Sequence, residues 1–224
     1  TDMSVPVRKG QFWYYGRSIE GKQYGVQCRT AIAAEDDWTP PTLEPGAPLP
    51  GEQVLFDGNA EAEGHEFFSL GSFDVSSDGR RVLFGVDVAG DERYVVRVRD
   101  LDSGKNLEDE IPGTSAGAEF APDGGSIFYT TVDDAWRPDT LWRHVIGTAV
   151  DADVVVFHEP DERFWLGAGF TRSERYLMIS MGSSITSEVL LLDADALDGE
   201  PRVVWPRTEG IEYGVDHAVI DGRD

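Results

Sequence analysis

Gly71–Val86 reads GSFDVSSDGRRVLFGV, and Gly117–Thr131 reads GAEFAPDGGSIFYTT. Each passes from an apolar residue through an Asp-Gly turn into an alternating aliphatic and aromatic run. This is the writing of a β-hairpin, in which Asp caps the turn and Gly supplies a positive φ. Setting Val75 on Phe120 puts Asp78 on Asp123 and Val82 on Ile127, an offset of 45 residues. A third copy, GFTRSERYLMIS at Gly169–Ser180, follows at an offset of 50, with Phe170 and Leu177 in register and Ser173 where the Asp stood.

The rest of the period repeats as well. A second alternating strand follows each hairpin: YVVRVRDL from Tyr94, LWRHV from Leu141 and EVLLLDA from Glu188. Asp102–Lys105 (DSGK) reads as a hairpin turn with Gly104 at the positive-φ position. Outer strands are read at Glu52 (EQVLFD), Asp153 (DVVVFHE) and Pro201 (PRVVWP), with Phe157 and Trp205 48 residues apart. Near the N-terminus, Phe12–Tyr15 mirrors Val82–Phe84, and Gly21–Val26 mirrors Asp91–Val96. Four short strands per ~45–50 residues, with no helical periodicity, is the period of a β-propeller blade. The expected fold is all-β: a partial β-propeller of about four four-stranded antiparallel blades. The units fall at roughly 1–58, 59–112, 113–159 and 160–209, with the start of a fifth at 210–224. The alternation in Tyr94–Arg99 predicts that Tyr94, Val96 and Val98 face inward between blades. Four units do not close a large ring, so apolar blade faces are expected at the ends, and self-association into a homo-oligomer through them follows as an expectation.

Composition narrows function. Forty-two acidic residues against 19 basic ones give a formal charge of −23, which repels phosphate backbones and argues against nucleic acid as a partner. No apolar run is long enough to span a membrane, and TDMSVPVRKG is not a signal peptide. Cys28 is the only cysteine, so no internal disulfide forms, and a reducing cytoplasmic setting is expected.

No group of residues assembles an active site. Ser183, in Met181–Ile185 (MGSSI), lacks the second glycine of a nucleophile elbow and falls in a predicted blade loop. His65, His144, His158 and His217 are scattered over different units without metal-ligand spacing. The carboxylate clusters Glu35-Asp36-Asp37, Asp133-Asp134, Asp151-x-Asp153 and Asp193-x-Asp195 are what so acidic a chain produces by chance. Asp100-x-Asp102-x-Gly104 lacks the later ligands of a calcium loop. The aromatic run at Phe12 reads as blade core, and Asp91–Tyr94 (DERY) and Asp161–Phe164 (DERF) occupy different places in the blade. No catalytic, cofactor-binding or metal residue is therefore assigned, and no cofactor is expected.

Longer phrases carry a resemblance. Ser4–Arg29, Glu52–Gly64 with Asn59, Asp74–Gly104, Val154–Ala194 and Val203–His217 (VVWPRTEGIEYGVDH), taken in order, resemble the prolyl oligopeptidase family of serine peptidases. The resemblance is to its oligopeptidase B (protease II) branch, in the N-terminal part of the propeller domain. It implies a seven-bladed propeller that caps an α/β-hydrolase domain holding a Ser-Asp-His triad. It also implies cleavage of short peptides, in this branch after Arg or Lys, with the propeller excluding folded proteins. No position here matches a triad residue. The implied role is thus gating and substrate filtering, with partners in the remaining blades and hydrolase domain of the same polypeptide and in short basic peptides. Two other readings stand beside it: a stand-alone scaffold propeller acting through self-association, and a small propeller glycosidase with carboxylates converging on a funnel.

Overall fold

The computed structural model describes residues 3–44, 47–220 and 222. Asp221, Arg223 and Asp224, at the end of the expected fifth unit, lie outside the described residues, as do Thr1, Asp2, Pro45 and Gly46. The chain divides into two compact units, Thr1–Phe68 and Ser69–Asp224.

The first unit is one antiparallel sheet of β1 (Val7–Lys9), β2 (Phe12–Ser18), β3 (Gly25–Ala31) and β4 (Gln53–Asp57), in chain order, followed by one helical turn, α1 (Gly58–Glu61). Period-two alternation buries Trp13 and Tyr15 on β2 and Val26 and Cys28 on β3, with Tyr15 opposite Cys28. Leu43 and Leu49 pack on this cluster from the segment joining β3 to β4. Burial pushes the Cys28 thiol up to about 11, so it packs as a small apolar group rather than reacting. The Tyr15 hydroxyl donates to Glu52 at 2.8 Å, and Arg17 pairs with the same carboxylate at 2.7 Å. Asn59 clamps Tyr24, accepting from its N–H and donating to its carbonyl, both at 2.9 Å.

The second unit holds three four-stranded antiparallel sheets, each laid out in chain order. They are β5 (Ser69–Val75), β6 (Arg81–Asp87), β7 (Tyr94–Asp100) and β8 (Asn106–Thr114); β9 (Glu119–Phe120), β10 (Ser126–Val132), β11 (Pro138–Val145) and β12 (Val154–His158); and β13 (Trp165–Phe170), β14 (Tyr176–Gly182), β15 (Ser187–Asp193) and β16 (Arg202–Trp205). The aligned residues of the sequence repeat are cross-strand partners in all three sheets: Val75 with Val82, Phe120 with Ile127, and Phe170 with Leu177. Each turn closes by the same pair of backbone bonds, for example Ser76 N–H to the Arg81 carbonyl and Gly79 N–H to the Ser76 carbonyl. Gly79 and Gly124 hold φ of 70° and 66°, and Glu174 holds 59° at the same position of the third turn. The quoted stretch begins on Gly71 for a separate reason. A Cβ there would lie 2.4 Å from the Tyr94 ring, which crosses β5.

Alternation also sets the packing. Leu83, Val96, Val98 and Ile111 of the first of these sheets meet Phe120, Ile127 and Tyr129 of the second. The opposite face of the second sheet, with Phe128 and Leu141, meets Leu166, Leu177, Ile179, Met181, Leu190 and Leu192 of the third. Val96 and Val98 are fully buried as the alternation predicts, while Arg97 and Arg99 are only half-buried. The first strands of adjacent sheets are tied by acceptors reaching across. Asp74 Oδ2 takes the Phe120 N–H at 2.9 Å, Glu119 Oε1 takes the Phe170 N–H at 3.1 Å, and Ser72 Oγ takes the N–H groups of Gly117 and Ala118 at 3.0 Å.

Glu174 carries a Cβ in a left-handed conformation that costs a non-glycine residue about 1 kcal/mol or more. Glu174→Gly should raise stability by about 0.5–1 kcal/mol after the flexibility of Gly in the unfolded chain is counted. Thermal melting measures this as a rise of roughly 1–3 °C; a fall would contradict the shared turn geometry.

Candidate functional site

Ser183 lies in the hairpin joining β14 to β15. Its hydroxyl donates to the Thr186 carbonyl at 3.2 Å and accepts the N–H groups of Thr186 and Ile185. It serves its own turn, and no histidine is among its partners. Asp100 takes the N–H and hydroxyl of Ser103, while Asp102 pairs with Arg80 on the surface. Trp13 and Tyr15 of the aromatic run are core. Among the described residues, no group of three or more His, Cys, Asp and Glu side chains could hold a metal ion.

His144 and Asp153 do more than their scatter in the sequence suggests. His144 is fully buried on β11, with Nδ1 2.7 Å from Asp153 Oδ1 and Nε2 3.0 Å from Asp109 Oδ1. The Tyr129 hydroxyl donates to Asp153 Oδ2 at 2.7 Å, and the Gly147 N–H donates to Asp109 at 2.5 Å. Burial, then the bond to Asp153, pushes the Tyr129 hydroxyl well above its usual range. Asp109 belongs to β8, so this network bolts one sheet to the next. Without exposure it cannot reach a substrate. Periodicity misses it because the members are 9 and 35 residues from the histidine.

A second feature comes from loops at one end of the three sheets. In the β6–β7 hairpin the buried Asp87 carboxylate accepts the N–H groups of Ala89, Gly90 and Glu92 at 2.8–2.9 Å. In the β10–β11 hairpin Trp136, at φ 62°, donates its indole N–H to the Asp91 carbonyl at 3.0 Å and lies under the Arg93 guanidinium at 4.2 Å. Arg137, next in the chain and buried, pairs with Asp133 and donates from Nη1 to the carbonyls of Glu159, Asp161 and Phe164. That 159–164 segment is held from its other side by Arg207, which follows β16. Its guanidinium bonds Glu159, pairs with Glu188 at 3.1 Å and stacks 3.7 Å from the Phe164 ring. Four loops are thus locked in series. At the end of the series lies a cavity of about 420 Å³ lined by Arg163, Phe164, Ser183–Thr186, Arg207 and Glu209.

Among the described residues, these loops are ordered by hydrogen bonds and ion pairs between neighbouring sheets. The described residues form four four-stranded antiparallel sheets, one in the first unit and three in the second. Against that geometry, a profile described as Prolyl oligopeptidase, N-terminal beta-propeller domain, matches residues 1–222. The chain belongs to the prolyl oligopeptidase family, in its N-terminal propeller domain. Among curated relatives of the family, a dipeptidyl aminopeptidase BI of Pseudoxanthomonas mexicana is 33% identical over 222 residues, covering 96% of this chain and 30% of the relative. Protease 2 of Moraxella lacunata is 32% identical over 219 residues, covering 97% and 30%. The oligopeptidase B structure from Leishmania major superposes with a TM-score of 0.85 at 29% identity, covering 96% of this chain and 29% of that one. The chain therefore spans about 30% of the length of the curated relatives it matches. Among the described residues, no helix is long and apolar enough to cross a membrane.

Burial pushes the Asp87 carboxyl up, but the N–H groups of Gly90, Ala89, Glu92 and Asp91 outweigh it and hold the group below the ordinary 3.8. Since the folded value is the lower one, the contribution of Asp87 is complete above its unfolded value and is lost as pH falls through the folded one. The amide resonances of Ala89, Gly90 and Glu92 should therefore titrate together below pH 3.8. A common titration at or above that value would contradict the assigned bonds.

Proposed function

We propose that this chain is the gating portion of a serine oligopeptidase: a non-catalytic propeller segment that filters substrates for a hydrolase domain of the same polypeptide. The observation that supports it most is the family match over residues 1–222. Steric selection is the mechanism. A ring of blades over a buried active site admits flexible peptides and turns away folded chains, and movement of blades or domains admits substrate.

The substrates are short peptides cleaved after Arg or Lys, in a cytoplasmic enzyme. The resemblance to the oligopeptidase B branch motivates the basic preference, and the charge of −23 gives it a physical complement. A strongly acidic propeller raises the local concentration of cationic peptides, an effect that salt screens. With the full-length protein, kcat/KM for peptides bearing Arg or Lys should fall several-fold as ionic strength rises from about 0.01 to 0.5 M, mainly through KM. Turnover indifferent to salt would remove the steering role. Cleavage confined to peptides lacking basic residues would remove the proposed substrate class.

A further inference from the structure

The cavity closing the loop series combines features that no role above uses. It is built at one end of a single sheet, where β13 begins, β14 ends, β15 begins and β16 ends, so four ordered strand termini fix its walls. The Phe164 ring is buried, Ile185 is exposed, and two guanidinium groups line the same space. That pairing is notable in a chain with only 19 basic residues against 42 acidic ones.

The two arginines are held differently. Arg207 is fixed by Glu159, Glu188 and its stack on Phe164. Arg163 is not: its side chain is 77% exposed and its ion pair is with Asp161, only two residues away. Asp161 is only 28% exposed and is bonded by two nitrogens of this guanidinium, so an incoming carboxylate must bind beside the pair, at the open side of Arg163. Its guanidinium bonds Asp161 through Nε and Nη2, leaving Nη1 without a partner among the described residues. The Ser184 hydroxyl, exposed on the rim, adds a further donor. Among the described residues, Glu209 is the one acid lining the cavity, and it opposes an anion there. Glu159 and Glu188 share the single charge of Arg207, so attraction for an anion rests on Arg163.

Resting on the peptidase reading above, we infer that this cavity is an accessory peptide subsite. It takes a carboxylate at the C-terminus of a short peptide against Arg163 and the Ser184 hydroxyl, with the adjoining side chain on the exposed Ile185. A subsite of this kind gives the enzyme a preference for peptides whose chain ends within reach of it. Internal segments of longer chains present no such carboxylate.

The test uses the full-length protein and pairs of otherwise identical peptides, one ending in a free carboxylate and one amidated. The free acid should show a KM lower by roughly five- to tenfold, the size of one charge-assisted contact. Arg163→Ala should bring the acid-to-amide ratio close to one, and Glu209→Gln should widen it. Equal KM values for acid and amide, or a ratio unmoved by Arg163→Ala, would overturn the subsite. An amidated peptide carrying a penultimate Glu separates the two sources of a carboxylate; full recovery by that peptide would overturn the terminal assignment. If no peptide is cleaved, the peptidase reading fails by itself. Calorimetric binding of the same acid and amide peptides to wild type and Arg163→Ala then decides the subsite: loss of the acid preference supports it, and its persistence overturns it.

Discussion

The constraint on which the second unit depends is that a sheet with two apolar faces must be covered on both. In the middle sheet, Ile127 and Tyr129 point one way and Phe128 and Leu141 the other, and each set is buried against a different neighbour. Period-two alternation on one short strand therefore enforces a stack. The third sheet meets the same demand differently. Its far face carries Val189 and Leu191, which are buried. The segment after β16 runs beside that face: Tyr213 accepts the Val189 N–H and donates to the Trp205 carbonyl, and the Ser187 N–H reaches the Ile211 carbonyl. Those residues form no named strand, though the repeat marks them as the opening of a further unit.

A second theme is the use of carboxylates as internal acceptors. Asp74 and Glu119 tie first strands together, Asp87 closes a hairpin, Glu159 and Glu188 fix Arg207, and Asp109 and Asp153 flank His144. Part of the acidity is thus spent on backbone N–H groups and arginines, where a buried polar group must find a partner. The remainder adds to the formal charge of −23, which the proposed steering of cationic peptides would use.

The repeat was legible because it is local. Val75 and Val82 pair across a turn that sequence alone specifies through Asp78 and Gly79, and a copy 45 residues later announces the next sheet. Even the degenerate third copy kept its geometry, with Glu174 accepting the strain that Gly would have avoided. What stayed hidden has physical reasons. Strand β8 (NLEDEIPGT) sets three consecutive acids between its only two large aliphatics and contains Pro112 and Gly113, so its signal is weak. The His144 network and the Arg137 and Arg207 clamps join residues 9 to 48 positions apart through side chains. No periodicity encodes such contacts. Asp91–Tyr94 and Asp161–Phe164 are alike in sequence but occupy different points of the repeat. The structure keeps them at different points, one inside a hairpin and one before a first strand, but makes both part of one loop series.

The proposed function separates filtering from chemistry: in it this chain supplies ordered loops, and the bond-breaking group lies elsewhere in the polypeptide. The most direct test is to label the full-length protein with a fluorophosphonate, which reacts with activated serines, and to map the modified residue by mass spectrometry. The account predicts one labelled serine outside these 224 residues. A label on Ser183, or on any other serine of this chain, would contradict it.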